Sequence, residues 1–124
     1  MRRVTKFLII SLLVVSSLAL NALAMAQAIM PLSGTKGAGA INNGVAQFNQ
    51  GKLDTALNHF QQALKANPRS AVAHYNLALT FNRMGQSDKA VRHFQKAAKL
   101  GRMNPFIQNS RILKQHTQGQ QKKR

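Results

Sequence analysis

The stretch Gly51–Ala63 has the sequence GKLDTALNHFQQA, and it returns 34 residues later as Gly85–Ala97, GQSDKAVRHFQKA. Between residues 37–70 and 71–104, a shift of 34 residues makes nine positions identical. A fixed period of this length is typical of proteins built from stacked structural repeats. The identical pairs are Asn42/Asn76, Gly51/Gly85, Asp54/Asp88, Ala56/Ala90, His59/His93, Phe60/Phe94, Gln61/Gln95, Ala63/Ala97 and Lys65/Lys99.

Small residues and one aromatic residue recur at fixed places in both copies. The first copy has Gly44, Ala56, Phe60, Ala63 and Pro68, and the second has Ala78, Ala90, Phe94 and Ala97. This pattern resembles that of the tetratricopeptide repeat (TPR) family. The second copy has Arg102 where the family has a proline, and Pro105 follows three residues later. The resemblance implies an all-α fold, with two tandem TPR helix-turn-helix repeats forming a short right-handed solenoid and a C-terminal capping helix.

Helix-ending residues divide the chain into segments. Gly51, Gly85 and Gly101 are expected to follow helix ends, and Asn67-Pro68 stops a helix as well. The first helix of the first repeat is expected to be the weakest, because Gly44 lies within it and it has few bulky apolar residues. The expected segments are a signal peptide or uncleaved anchor (1–26), a flexible linker (27–38), TPR 1 (39–70), TPR 2 (71–104), a capping helix (105–117) and a disordered basic tail (118–124).

The N-terminus has the pattern of a targeting segment. Met1–Lys6 carries three basic residues, and Phe7–Ala26 is an uncharged run of 20 residues that ends in Ala-Met-Ala. A charged start, an apolar middle and a small-x-small end are typical of a secretory signal peptide. The uncharged run is also long enough to span a bilayer as an anchor. We therefore expect an exported protein, periplasmic or secreted, that is membrane-anchored if the signal is not cleaved.

Charge and cysteine content limit the classes of function. The chain has 18 basic and 2 acidic residues and a net charge of +16, and it contains no cysteine. Disulfides, thiolate metal sites and cysteine nucleophiles are therefore excluded. A charge excess of this size favours polyanionic partners such as anionic lipid, lipopolysaccharide or nucleic acid. It is also what a generally basic proteome would produce.

No residues suggest catalysis or a resident cofactor. The two carboxylates, Asp54 and Asp88, occupy the same repeat position, which favours stabilisation of helix N-termini over a catalytic pair. His59 and His93 also share one repeat position, on the outer side of the second helix. Two such ligands are too few for a metal site, so solvated surface histidines are expected. We predict a non-enzymatic protein without cofactor or metal.

The resemblance implies a partner-binding groove, because in the family the first helix of each repeat lines a concave surface. Asn42 and Asn76 can each hydrogen-bond the backbone of an extended peptide. The lysine and asparagine that clamp a terminal carboxylate in some relatives are Ile41 and Val45 here, which argues against that type of ligand. Phe48 and Leu79 have the alternative of packing between helices. The groove residues implied are Ile41, Asn42, Val45, Phe48, Asn49, Val72, Tyr75, Asn76, Leu79, Asn82 and Arg83.

Basic residues concentrate on the second helices and beyond them. Arg92, Lys96 and Lys99 follow helical spacing and form a stripe on one face. The aromatic residues that stack on bases are missing from this surface, which argues against nucleic acid. The predicted capping helix has the alternative of lying on an anionic membrane surface. The basic surface comprises Lys65, Arg69, Lys89, Arg92, Lys96, Lys99, Arg102, Arg111 and Lys114.

Two classes of function follow from these features. The first is an exported scaffold or adaptor that binds a protein or peptide segment in the groove. The second is a basic protein that binds a polyanion through its charge. Two repeats make a short stack, because about three are usually needed for stability. Self-association through the first repeat is therefore a further expectation.

Overall fold

A computed structural model of the chain describes residues 28–31 and 34–121. The expected signal peptide or anchor at 1–26 lies outside the described residues, as do 122–124 of the expected tail. The described part is helical, with no strand. Its helices are α1 (Ala38–Asn49), α2 (Leu53–Ala66), α3 (Ala71–Arg83), α4 (Ser87–Leu100), α5 (Pro105–Gln108) and α6 (Arg111–Gln121).

The same tight turn joins α1 to α2 and α3 to α4. Gly51 and Gly85 lie at its centre with φ of 76° and 75°, which side chains with a Cβ rarely adopt. The N–H of Gly51 donates to the carbonyl of Phe48 at 3.0 Å, and that of Lys52 donates to Gln47 at 3.0 Å. This is the Schellman pattern, and it recurs one repeat later around Gly85. The repeat in sequence is therefore a repeat of two antiparallel helix pairs.

The recurring small and aromatic residues form the core. Ala56, Ala63, Ala90 and Ala97 are fully buried, as are Phe60 and Phe94. A fully buried alanine lets two helix backbones approach closely, and the aromatic ring one turn away fills the space between them. Ile41, Val45 and Phe48 are also buried, so α1 uses the few bulky residues that it has.

Two helices, rather than the single expected one, form the C-terminal cap. Asn104 ends the loop after α4, and its side chain accepts hydrogen bonds from the N–H groups of Phe106 and Ile107. Ser110 then separates α5 from α6, where its Oγ accepts from the N–H of Leu113 at 3.3 Å. Ser110 thus acts as an N-cap in the middle of the predicted helix, which divides it. The two helices still cover the end of the second repeat, because Ile107 and Leu113 are buried in the core that they share with the repeats.

Some described residues of the expected disordered tail and of the expected flexible linker belong to helices or contact them. Helix α6 continues to Gln121, into the segment from 118 that was expected to be disordered. In the segment expected to be a linker, Ile29 is hydrogen-bonded to α3 and α1 begins at Ala38. Among the described residues, no helix is both long and apolar enough to cross a membrane.

Loss of the α3 cap should destabilise the fold modestly. Ser70 precedes α3, and its Oγ accepts a hydrogen bond from the N–H of Ala73 at 3.2 Å. We expect Ser70→Ala to lower the free energy of unfolding by about 1 kcal/mol. Urea unfolding followed by circular dichroism measures the change. Ser87→Ala, at an exposed serine that opens α4, is the control and should have a smaller effect.

Candidate functional site

The candidate site lies on α3, the first helix of the second repeat. Asn76, in the middle of this helix, is fully buried. Its side-chain Oδ1 accepts a hydrogen bond from the backbone N–H of Ile29 at 2.9 Å, and its Nδ2 donates to the backbone carbonyl of Ile29 at 2.7 Å. One amide side chain thus holds both backbone groups of a single residue 47 positions earlier in the chain.

This contact recognises backbone rather than side chain. The Asn76 amide offers one acceptor and two donors, and a peptide unit in an extended segment offers the complementary pair. A buried amide left without partners would cost about 1–3 kcal/mol, so the site favours an occupied state. Residues 28–31 contain no helix or turn, consistent with an extended segment laid across α3.

The two equivalent asparagines differ in their surroundings. Asn42, one repeat before Asn76, is exposed. Asn49, at the end of α1, is also exposed, whereas Val72 is half-buried and lines a cavity together with Ile29. Of these two equivalent asparagines, Asn76 is therefore the one that holds the backbone of Ile29.

Several other residues of the implied groove serve the packing of the repeats. Ile41, Val45, Phe48 and Leu79 are all in the core, which favours helix packing as the role of Phe48 and Leu79. Arg83 is exposed, but it bridges the repeats because its Nη1 donates to the backbone carbonyl of Phe48 at 3.2 Å. Its guanidinium also lies 4.3 Å from the centre of the Phe48 ring. The four apolar side chains therefore pack between the helices, and Arg83 joins the two repeats.

Tyr75 and Asn82 are the remaining residues of the implied groove. Tyr75 is buried, and its hydroxyl is 2.7 Å from Oγ of Ser110, at the start of α6. Burial raises the pKa of Tyr75 and outweighs the opposite effect of this hydrogen bond. Tyr75 therefore connects the second repeat to its cap. Asn82 is half-buried near the end of α3.

Comparison with protein families agrees with this architecture. One family model, described as TPR repeat, matches residues 44–85, and a second, described as tetratricopeptide repeat, matches 71–102. The chain is therefore a tetratricopeptide repeat protein, with repeats matched over residues 44–102. The repeats of this family suggest a scaffold for protein–protein interaction, and the family is generally non-enzymatic. No curated protein matches the sequence of this TPR protein significantly.

A histidine pair lies between the helices of the second repeat. Nδ1 of His74 is 3.0 Å from Nδ1 of His93, and Nε2 of His74 is 3.1 Å from the carbonyl of Pro68. Because a carbonyl only accepts, Nε2 of His74 carries a proton. In the neutral pair, Nδ1 of His93 then donates to Nδ1 of His74. His59 and His93 were both expected to be solvated surface histidines, but both are half-buried, and His93 pairs with His74.

Burial is the largest cause that lowers the pKa of His93, and together with the nearby His74 and Lys96 it brings this pKa to about 4. Burial also lowers the pKa of His74, against the hydrogen bond to Pro68, which raises it. No three histidine, cysteine, aspartate or glutamate side chains in the described part of the chain come together to hold a metal ion. The pair therefore acts as a neutral packing element of the TPR protein.

This pair should make the TPR protein sensitive to acid. The unfolded chain binds protons at the ordinary histidine pKa of 6.5, whereas folded His93 resists protonation down to about pH 4. The free energy of unfolding should therefore fall as the pH is lowered from about 6.5 to about 4. Urea unfolding at pH 7 and pH 5 measures this. His93→Gln should reduce the fall, and equal falls in the wild type and His93→Gln would contradict the assignment.

The predicted basic surface is solvent-exposed. All nine of its lysine and arginine residues are exposed. Arg92, Lys96 and Lys99 line one shallow depression on α4, together with His93 and Gln95. The helical stripe predicted from their spacing therefore forms a continuous basic face of the TPR protein.

Proposed function

We propose that this TPR protein is an exported scaffold or adaptor that holds an extended protein segment against α3. The observation that carries the proposal is the pair of hydrogen bonds between the Asn76 amide and the backbone of Ile29. Export rests on the pattern of residues 1–26. Purified mature protein that begins at Gln27 would support export with cleavage.

Residues 28–31 support a specific kind of ligand for this site. The two hydrogen bonds of the Asn76 side chain go to backbone atoms of Ile29, so any extended residue with a free N–H and carbonyl can form them. The neighbouring surface is apolar, formed by Val72, Leu100 and Phe106 among others. Extended segments with apolar side chains on either side of the held residue are therefore the favoured ligands.

The chain's own segment competes with an external one. A tether of a few residues gives a local concentration on the order of millimolar, so an external segment must displace 28–31 to bind. The N–H of Ile29 donates one of the two hydrogen bonds. Ile29→Pro removes this donor and should empty the site without changing α3.

A synthetic peptide of residues 26–33, AQAIMPLS, tests the site in full-length protein. Fluorescence anisotropy should detect binding of the labelled peptide to the Ile29→Pro protein and much weaker binding to the wild type. Adding Asn76→Ala to Ile29→Pro should abolish binding. Adding Asn42→Ala, at the equivalent but exposed residue of the first repeat, should leave it unchanged. Binding that survives Asn76→Ala would refute the proposed site.

A further inference from the structure

Three large apolar side chains are exposed around one cavity. Among the described residues, Met30, Met103 and Phe106 are the large hydrophobic side chains that are exposed, at 59%, 96% and 73%. All three line a single open cavity of about 470 Å³, which is also lined by Val72 and Leu100. Single exposed apolar residues are ordinary on protein surfaces, but a cluster around one cavity indicates a contact site.

This cluster lies at one edge of the helix stack, which we call the apolar edge. The cavity is lined by the start of α3, the end of α4 and the start of α5. Asp54 and Asp88, the only acidic residues of the chain, lie in the first turns of α2 and α4. Those turns are at the opposite ends of helices of 14 residues, about 20 Å away at 1.5 Å per residue.

The apolar edge is also strongly basic. Five lysine and arginine residues are exposed in the segments that form it or flank it, and no acidic residue is present in these segments. Apolar side chains surrounded by cations match the interface of an anionic bilayer, where apolar groups enter below the headgroups and cations pair with phosphates. The five are Lys36, Lys65, Arg69, Lys99 and Arg102.

The sequence before the described residues brings a membrane within reach. The uncharged run Phe7–Ala26 ends four residues before Met30, and four residues span at most about 14 Å. A bilayer that holds this run, before or without cleavage, therefore lies close to the apolar edge. This proximity favours lipid over a soluble protein as the occupant.

We propose that the apolar edge is a docking site for an anionic lipid bilayer. Met30, Met103 and Phe106 insert among the upper acyl chains, and the flanking lysine and arginine residues contact the lipid phosphates. This surface adjoins the backbone site, because Met30 follows the Ile29 that Asn76 holds. The lipid test leaves residues 28–31 unchanged, so its outcome does not depend on an external segment binding at Asn76.

A tryptophan probe tests which edge meets the lipid. The chain has no tryptophan, so Phe106→Trp places a single indole at the apolar edge of the full-length protein. Gln50→Trp places it at the exposed end of α1, on the opposite edge. Both proteins are mixed with phosphatidylglycerol or phosphatidylcholine vesicles that carry brominated acyl chains, which quench nearby indoles. Because both retain the N-terminal run, any tethering by that run is the same for the two probes.

The proposal predicts that Phe106→Trp shifts its emission to the blue and loses most of its intensity in phosphatidylglycerol vesicles. Gln50→Trp should keep its intensity, and phosphatidylcholine vesicles should quench Phe106→Trp much less. Adding Arg102→Glu should reduce the quenching more than adding Arg92→Glu, which changes the net charge equally on the outer face of α4. Equal quenching of the two probes, no quenching of either, or equal effects of the two charge reversals would overturn the proposal.

Discussion

Replacement of Phe94 by alanine is expected to cost about 3–5 kcal/mol of the free energy of unfolding, the range for truncation of a buried aromatic residue. Phe94 is fully buried in the second repeat. Its ring stacks on His116 of α6 at 5.1 Å between ring centres and meets the edge of Tyr75 at 5.8 Å. The truncation therefore removes one contact between the repeat and its cap, the stacking on His116, as well as opening a cavity.

Phe106→Ala provides the matched control, because this phenylalanine is 73% exposed. Its effect should stay within about 0.5 kcal/mol, as for surface substitutions in general. Thermal and urea unfolding of the two variants measure the difference. Small domains have total stabilities of only about 5–15 kcal/mol, so Phe94→Ala should lower the midpoint temperature strongly. Equal midpoints for the two variants would contradict the packing described here.

Gly44→Ala is expected to destabilise the first repeat by about 1–3 kcal/mol through overpacking. A Cβ at Gly44 would lie 2.5 Å from Cε1 and 2.7 Å from Cδ1 of Phe60. Phe60 is fully buried, so its ring has no free space to enter. The loss should appear although alanine favours helices over glycine by about 1 kcal/mol.

Gly39→Ala in the same helix is the control, because a Cβ there meets no atom within 4 Å. This substitution should stabilise α1, by up to about 1 kcal/mol. The double variant Gly44→Ala with Phe60→Leu should lose less stability than the sum of the two single variants, since the smaller side chain relieves the clash. Additive losses in urea unfolding would show that Gly44 and Phe60 do not limit each other's size.

The repeat architecture was predictable because it is encoded by local signals that occur twice. Gly51 and Gly85 end helices through the same backbone geometry in both repeats. Ala56 and Ala90 are small because a second helix lies against each of them. A residue type that returns after 34 positions in a similar local context reveals the constraint without any structure.

The features that distinguish the two repeats were harder to predict. Asn42 and Asn76 are identical in the sequence pattern, but only Asn76 is covered by Ile29, from a segment without periodicity. His74 has no counterpart in the first repeat, where Ala40 occupies its position, and that difference signals the pairing with His93. Ser110 within the predicted capping helix was likewise a visible N-cap signal for the break between α5 and α6.

Amide hydrogen exchange of Ile29, followed by NMR in the full-length protein, tests whether Asn76 holds the segment 28–31. The N–H of Ile29 should exchange more slowly than an unstructured amide, because it donates to Oδ1 of Asn76. The protection should disappear in Asn76→Ala and persist in Asn42→Ala. Exchange of Ile29 at the unstructured rate in the wild type, or unchanged protection in Asn76→Ala, would contradict it.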